Sequence, residues 1–104
     1  MIDLTTDIAK LTLKNPILTA SGTCGYGHEY SPLMDMSSLG GFTTKSVTVR
    51  PRKGNEPHRI VETPSGMLNA IGLANVGLEE FCTTKIKALS GFGTHVFVNE
   101  TPYE

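Results

Sequence analysis

Three short segments hold residues that could do chemistry, and each lies at or beside the end of a β-compatible run. Thr43-Thr44-Lys45-Ser46 places a lysine late in a strand otherwise free of charge. Lysine is rarely buried without a partner, so this position predicts an anionic group facing its ammonium; the competing reading is a side chain that snorkels outward. Ala20-Ser21-Gly22-Thr23 ends an apolar run, where glycine lets the backbone approach a flat ring or a phosphate closely. Its glycine order is neither GxGxxG nor a P-loop, and a plain strand-to-helix turn would use the same residues. The stretch from Ser65 to Leu73 is the most informative, because Gly66 and Gly72 flank Asn69 among small and apolar residues. An amide side chain both donates and accepts, which suits a heterocycle carrying amide groups. An asparagine capping a hairpin turn is the alternative.

These segments need elements to position them. Leu4 to Ala9 and Leu11 to Leu13 alternate before Asn15-Pro16, which predicts a β-hairpin. Ile17 to Ala20 reads as a buried strand running into the small-residue loop Ser21 to Gly27. Tyr30, Leu33, Met34 and Met36 suit a short helix over His28 to Met36, terminated by Leu39-Gly40-Gly41. Phe42 to Val49, dense in β-branched residues, is the second strand, and Pro51, Gly54, Asn55 and Pro57 begin a long excursion. Within it, Arg59 to Thr63 and Met67 to Ile71 are placed to pair as a second hairpin. Leu78, Phe81, Cys82, Ile86 and Leu89 recur at helical spacing, with Glu79 and Glu80 in the first turn. His95 to Asn99 reads as a third buried strand. Right-handed crossovers turn this βαβαβ order into a parallel sheet with helices outside. Ser21 and Lys45 then share one rim, and Asn69 must fold back to it from the excursion.

Composition narrows the classes further. With 104 residues, 38% hydrophobic and 18% charged, the chain has the make-up of a single ordinary globular domain, with no internal repeat or low-complexity linker to divide it. Runs such as Ala70 to Ala74 fall far short of the roughly 18 to 20 apolar residues that cross a bilayer. Met1-Ile2-Asp3-Leu4 lacks the start of a secretory signal, so no membrane association and a cytoplasmic location are expected. A net charge of −1 with interspersed signs argues against nucleic acid, and Arg50-Pro51-Arg52-Lys53 reads as a solvated loop. Cys24 and Cys82 stand far apart with no metal-ligand spacing, which predicts no disulfide framework, no metal site and two small buried or half-buried thiols.

Several of these segments also follow one another in a family's order and spacing. They are Leu13-Lys14-Asn15-Pro16, Ala20-Ser21-Gly22-Thr23 with Gly25-Tyr26-Gly27 and Glu29-Tyr30, Thr44-Lys45-Ser46, Pro51-Arg52, Gly54-Asn55, Arg59, Glu62-Thr63, and Ser65 to Leu73 followed by Asn75. From Asp3 to Asn99 the chain resembles the N-terminal portion of class 1 dihydroorotate dehydrogenases. Met67 to Leu73 is most similar to the class 1B catalytic subunit, the branch that works with an iron–sulfur FAD electron-transfer subunit and NAD.

The resemblance implies an α/β fold, the N-terminal portion (about three strands) of a (β/α)8 TIM barrel. An N-terminal β-hairpin and an inserted hairpin decorate it, and residues 1–104 form one partial domain. The implied activity is FMN-dependent oxidation of dihydroorotate to orotate in pyrimidine biosynthesis, by an enzyme that dimerises with itself. By the same resemblance, Ala20, Ser21, Gly22, Lys45 and Ser46 bind the flavin, and Lys45 is catalytic and touches substrate. Asn69 hydrogen-bonds the pyrimidine, and the backbone of Ile71, Gly72 and Leu73 receives its carboxylate side. The family's cysteine base lies beyond this span, and neither Cys24 nor Cys82 takes its position. After Asn99 the sequence departs from the family in Glu100-Thr101-Pro102-Tyr103-Glu104. The expectation is therefore a flavoenzyme fragment inactive alone. Its competitors are a stand-alone pyrimidine-binding module and a fragment of a dihydropyrimidine-type flavoenzyme.

Overall fold

A computed structural model describes residues 1–102; of the divergent tail Glu100 to Glu104, Tyr103 and Glu104 lie outside the described residues. Strands β1 (Thr6–Ile8) and β2 (Leu11–Leu13) pair antiparallel, with Asp7 opposite Thr12 and the Thr12 hydroxyl donating to the Asp7 carboxylate at 2.6 Å. Lys14 and Asn15 tie this hairpin down. The Lys14 ammonium donates to the carbonyls of Ser37 (2.6 Å) and Gly93 (2.9 Å), and the Asn15 amide to that of Ser38 (2.9 Å). These carbonyls precede the two central strands, so the hairpin covers the N-terminal end of the sheet.

That sheet is short and parallel. Strand β3 (Gly41–Thr43) pairs with β6 (His95–Phe97), Phe42 lying opposite Val96, and Leu18 bridges the other side of Gly41 in parallel. The strand expected over Ile17 to Ala20 is thereby reduced to one bridge, and the one over Phe42 to Val49 to three regular residues. Threonine hydroxyls replace part of the ladder. Thr19 Oγ1 accepts from the Thr43 amide (2.8 Å), and Thr44 Oγ1 from the Asn99 amide (3.2 Å). The chain stays extended as far as Val47, whose amide donates to Asn99.

Residues 28–36 form consecutive turns, and a 3-10 helix follows at Met36–Ser38. The expected helix fails at Pro32, which has no amide for the His28 carbonyl; the Ser31 hydroxyl takes that carbonyl at 3.1 Å. Asp35 then accepts from the Ser37 amide and starts the 3-10 turn. The excursion carries β4 (Ile60–Thr63) and β5 (Gly66–Asn69), paired antiparallel with Glu62 opposite Met67.

The helix expected over Leu78 to Leu89 is α1 (Leu78–Glu80), a π turn (Phe81–Lys85) and α2 (Ile86–Leu89) in succession. Thr83 explains the wider turn. Its hydroxyl occupies the Glu79 carbonyl at 2.9 Å, which the backbone would otherwise claim. The extra residue splits the expected apolar stripe: Phe81 and Leu89 are buried, whereas Leu78, Ile86 and Cys82 are exposed. Cys82 is therefore not the half-buried thiol that the apolar spacing suggested. Phe81 and Leu89 pack with Tyr26, Met36, Leu39, Phe42 and Val47 into one core between helix and sheet. Among the described residues no helix is long and apolar enough to cross a membrane.

Candidate active site

The C-terminal ends of the parallel strands converge on Asn99. Its amide nitrogen donates to the Ser21 hydroxyl (2.8 Å) and to the Ser46 hydroxyl (2.5 Å), and Ser21 in turn donates to the Thr44 carbonyl (2.8 Å). Three strand ends are thus joined side chain to side chain. Lys45, next to Ser46 in the chain, is half-buried, with its amide donating to the Gly25 carbonyl at 2.9 Å. Its neighbours Thr44 and Val47 are fully and nearly fully buried. Among the described residues the Lys45 ammonium has neither a hydrogen bond nor an ion pair.

Gly22, at φ +80°, has nothing within 4 Å of where a side chain would begin. Ala20 is exposed beside it, and its carbonyl accepts from Thr23. The open backbone at Ala20 and Gly22, the remaining Ser46 hydroxyl proton, the Asn99 side-chain carbonyl and a cation without an ion pair among the described residues fit a flavin ring and its ribityl chain. Among the described residues no group of three or more His, Cys, Asp or Glu is placed to hold a metal ion.

The other predicted residues form a second set, held by two asparagines. Gly72 and Leu73 are consecutive left-handed residues at φ +80° and +56°. For leucine that conformation costs about 1–2 kcal/mol. Asn55 braces one side, its amide donating to the Ile71 carbonyl (3.0 Å) and its side chain to the Ala70 carbonyl (2.9 Å). Asn75 braces the other, donating to the Leu73 carbonyl at 2.9 Å. Arg59 fixes the Asn55 loop through the carbonyls of Asn55 (2.7 Å) and Lys53 (2.9 Å). Strain held by surrounding bonds is a mark of functional backbone. Asn69 ends β5 with an exposed side chain, and Ile71, Gly72 and Leu73 are half-buried.

No direct hydrogen bond joins Asn69 to Lys45 among the described residues; the connection runs through Leu73, Asn75 and Thr48. A cavity of about 470 Å³ between Val49, Pro51, Gly77 and Glu80 contains none of the predicted site residues, whereas one of about 260 Å³ reaches Asn55 and Gly72. The sequence names Asn75 only within the family pattern and Asn99 only as a strand residue, and assigns neither a role in the site. Asn99 was within reach, since the rule that sites gather at strand C-terminal ends applies equally to the third strand.

The dihydroorotate dehydrogenase family profile matches residues 3–100 of the 104. The chain belongs to the dihydroorotate dehydrogenase family. Its relatives include proteins named dihydroorotate dehydrogenase B (NAD(+)), catalytic subunit. That of Pelobacter propionicus is 50% identical over 98% of this chain and 34% of its own length. That of Thermodesulfovibrio yellowstonii is 52% identical over 88% and 30%, and that of Geobacter sulfurreducens 48% over 93% and 32%. The chain thus spans about a third of the length of the family members it matches.

Proposed function

We propose that this chain is the N-terminal portion of the catalytic subunit of an FMN-dependent dihydroorotate dehydrogenase, which oxidises dihydroorotate to orotate in pyrimidine biosynthesis. The observation that carries this reading is the strand-end cluster, in which Asn99 bonds both Ser21 and Ser46, the latter adjacent in the chain to Lys45. The complete fold is then a (β/α)8 barrel, with β3 and β6 as two of its staves. The complete enzyme is a cytoplasmic homodimer that passes electrons to an iron–sulfur FAD subunit and NAD.

Converting the substrate's C–C single bond to a double bond removes a hydride and a proton. FMN, when bound, supplies the two-electron acceptor. The chain's own residues bind, orient and stabilise charge. The Ser46 hydroxyl and the Asn99 side-chain carbonyl would hold the cofactor's polar edge, with Ser21 fixing Asn99, and the backbone of Ala20 and Gly22 would lie along the ring. Lys45 places a fixed cation where negative charge grows during hydride transfer, and there it stabilises more than mobile water does. Asn69 reads the pyrimidine's amide edge, and the Ile71 to Leu73 backbone receives the carboxylate side. The general base comes from outside this span.

The test joins this chain to the remaining two-thirds of the Pelobacter propionicus relative and follows flavin reduction by dihydroorotate in stopped flow. Lys45→Ala is expected to slow reduction about a hundredfold. Asn69→Ala should mainly raise KM, by about tenfold for one lost hydrogen bond. Unchanged reduction in the lysine variant would remove Lys45 from the mechanism.

A further inference from the structure

Asn75 has all of its hydrogen-bonding capacity in use, and its partners lie on three different segments. Its backbone exchanges both bonds with Arg52, at 3.0 and 2.9 Å, which closes the base of the excursion. Its side chain, in a residue only 9% exposed, is surrounded by the Thr48 amide (3.1 Å), the Thr48 hydroxyl, the Leu73 carbonyl (2.9 Å) and the Gly77 amide (2.9 Å). The Thr48 hydroxyl has one proton, and its 2.5 Å contact with the Arg50 carbonyl takes it. Toward Asn75 that oxygen therefore accepts, from Nδ2 at 2.9 Å. The count closes: Oδ1 accepts from the Thr48 and Gly77 amides, and Nδ2 donates to the Thr48 oxygen and the Leu73 carbonyl. A carboxylate could keep the two accepted bonds but not the two donated ones.

Each partner bears on the site. Thr48 follows Lys45 and Ser46 on the same extended segment, Leu73 is the strained end of the substrate-facing turn, and Gly77 precedes the helix that packs on the core. We propose that Asn75 is a positioning residue: it fixes the left-handed Gly72-Leu73 turn against the Lys45 strand end, setting the spacing between the backbone that receives substrate and the lysine. This proposal rests on the dihydroorotate reading for the identity of the substrate, but not for the coupling itself.

The first measurement is amide hydrogen exchange on the 104-residue chain. Asn75→Asp is expected to raise exchange across residues 69–74 by about tenfold or more while residues 41–43 and 95–97 stay within twofold. Thr48→Val should raise it in the same direction, and Thr48→Ser should restore protection. If Asn75→Asp fails to fold, the threonine pair decides. Unchanged exchange at 69–74, or loss of protection spread evenly over the chain in Thr48→Val, would overturn the coupling. The second measurement uses the flavin-loaded chimera. Asn75→Asp should raise KM for dihydroorotate about tenfold, with flavin reduction at saturation within threefold, because Lys45 keeps its own strand. A fall in the saturated rate at constant KM would overturn the positioning role. A wild-type chimera that dihydroorotate does not reduce counts against the substrate reading, and the exchange data still decide the coupling.

Discussion

The Tyr26 hydroxyl is the only buried side-chain polar atom without a hydrogen-bond partner among the described residues. Its ring earns the position: it lies 5.8 Å from that of Phe81 and has the Lys85 ammonium 5.9 Å from its centroid. The oxygen gains nothing comparable. Removing an unsatisfied buried hydroxyl is neutral to stabilising, so Tyr26→Phe is expected to add about 1 kcal/mol, read as a Tm rise of about 4–8 °C for a domain of this size. A fall in Tm would mean that the hydroxyl is satisfied after all. Burial, with Glu29 and Glu80 nearby, pushes this phenol above its ordinary value of 10.0 although the Val76 backbone opposes the shift. The neutral form is the one the fold favours. Its contribution is full below the ordinary value and is lost as pH rises through the raised one, so the phenylalanine variant should lack that alkaline loss.

At the scale of elements, the turn at Gly72 leaves little freedom to its backbone. A Cβ there would stand 2.7 Å from the Asn55 amide and 2.8 Å from its side chain, besides the positive φ. Gly72→Ala should therefore cost about 1–3 kcal/mol, seen as a lower urea midpoint at unchanged m. An unchanged midpoint would show that the Asn55 loop yields freely. What was legible in the sequence follows the same physics. Ser21 and Lys45 are legible as residues near strand ends because strand ends are local patterns, and the excursion hairpin because Pro64, Ser65 and Gly66 mark a turn. The helix over 28–36 was misread because apolar spacing outweighed Pro32. The π turn was hidden because a threonine hydroxyl competing for a carbonyl leaves no trace in hydrophobic periodicity. Asn75 stands in the family pattern without a role, because its partners, Thr48 and Arg52 above all, are brought to it only by the fold.

The whole molecule leaves many large apolar side chains exposed. Ile60, Val61, Met67 and Leu68 on the β4–β5 hairpin are all exposed, as are Ile17 and Leu18 beside β3. In the proposed (β/α)8 barrel, phosphate is held by loops after strands seven and eight, which are not among the strands described above. The 104-residue chain is accordingly expected to leave gel filtration colourless after loading with FMN. Stoichiometric yellow flavin in the protein peak would show that the Ser21–Ser46–Asn99 cluster suffices. The parallel pairing of β3 with β6 also bears on how the chain is made. Gly41 meets His95, 54 positions later, whereas each hairpin closes within a few residues. Hairpins form in microseconds. On a ribosome adding about 5–20 residues per second, β3 waits about 3 to 11 s for its partner to be synthesised. Lys14 waits longer, about 4 to 16 s, for Gly93, 79 positions later. During that interval Phe42 and Val47 lack the helix and the strand that later cover them, which makes the nascent segment around β3 a natural client for a ribosome-associated chaperone.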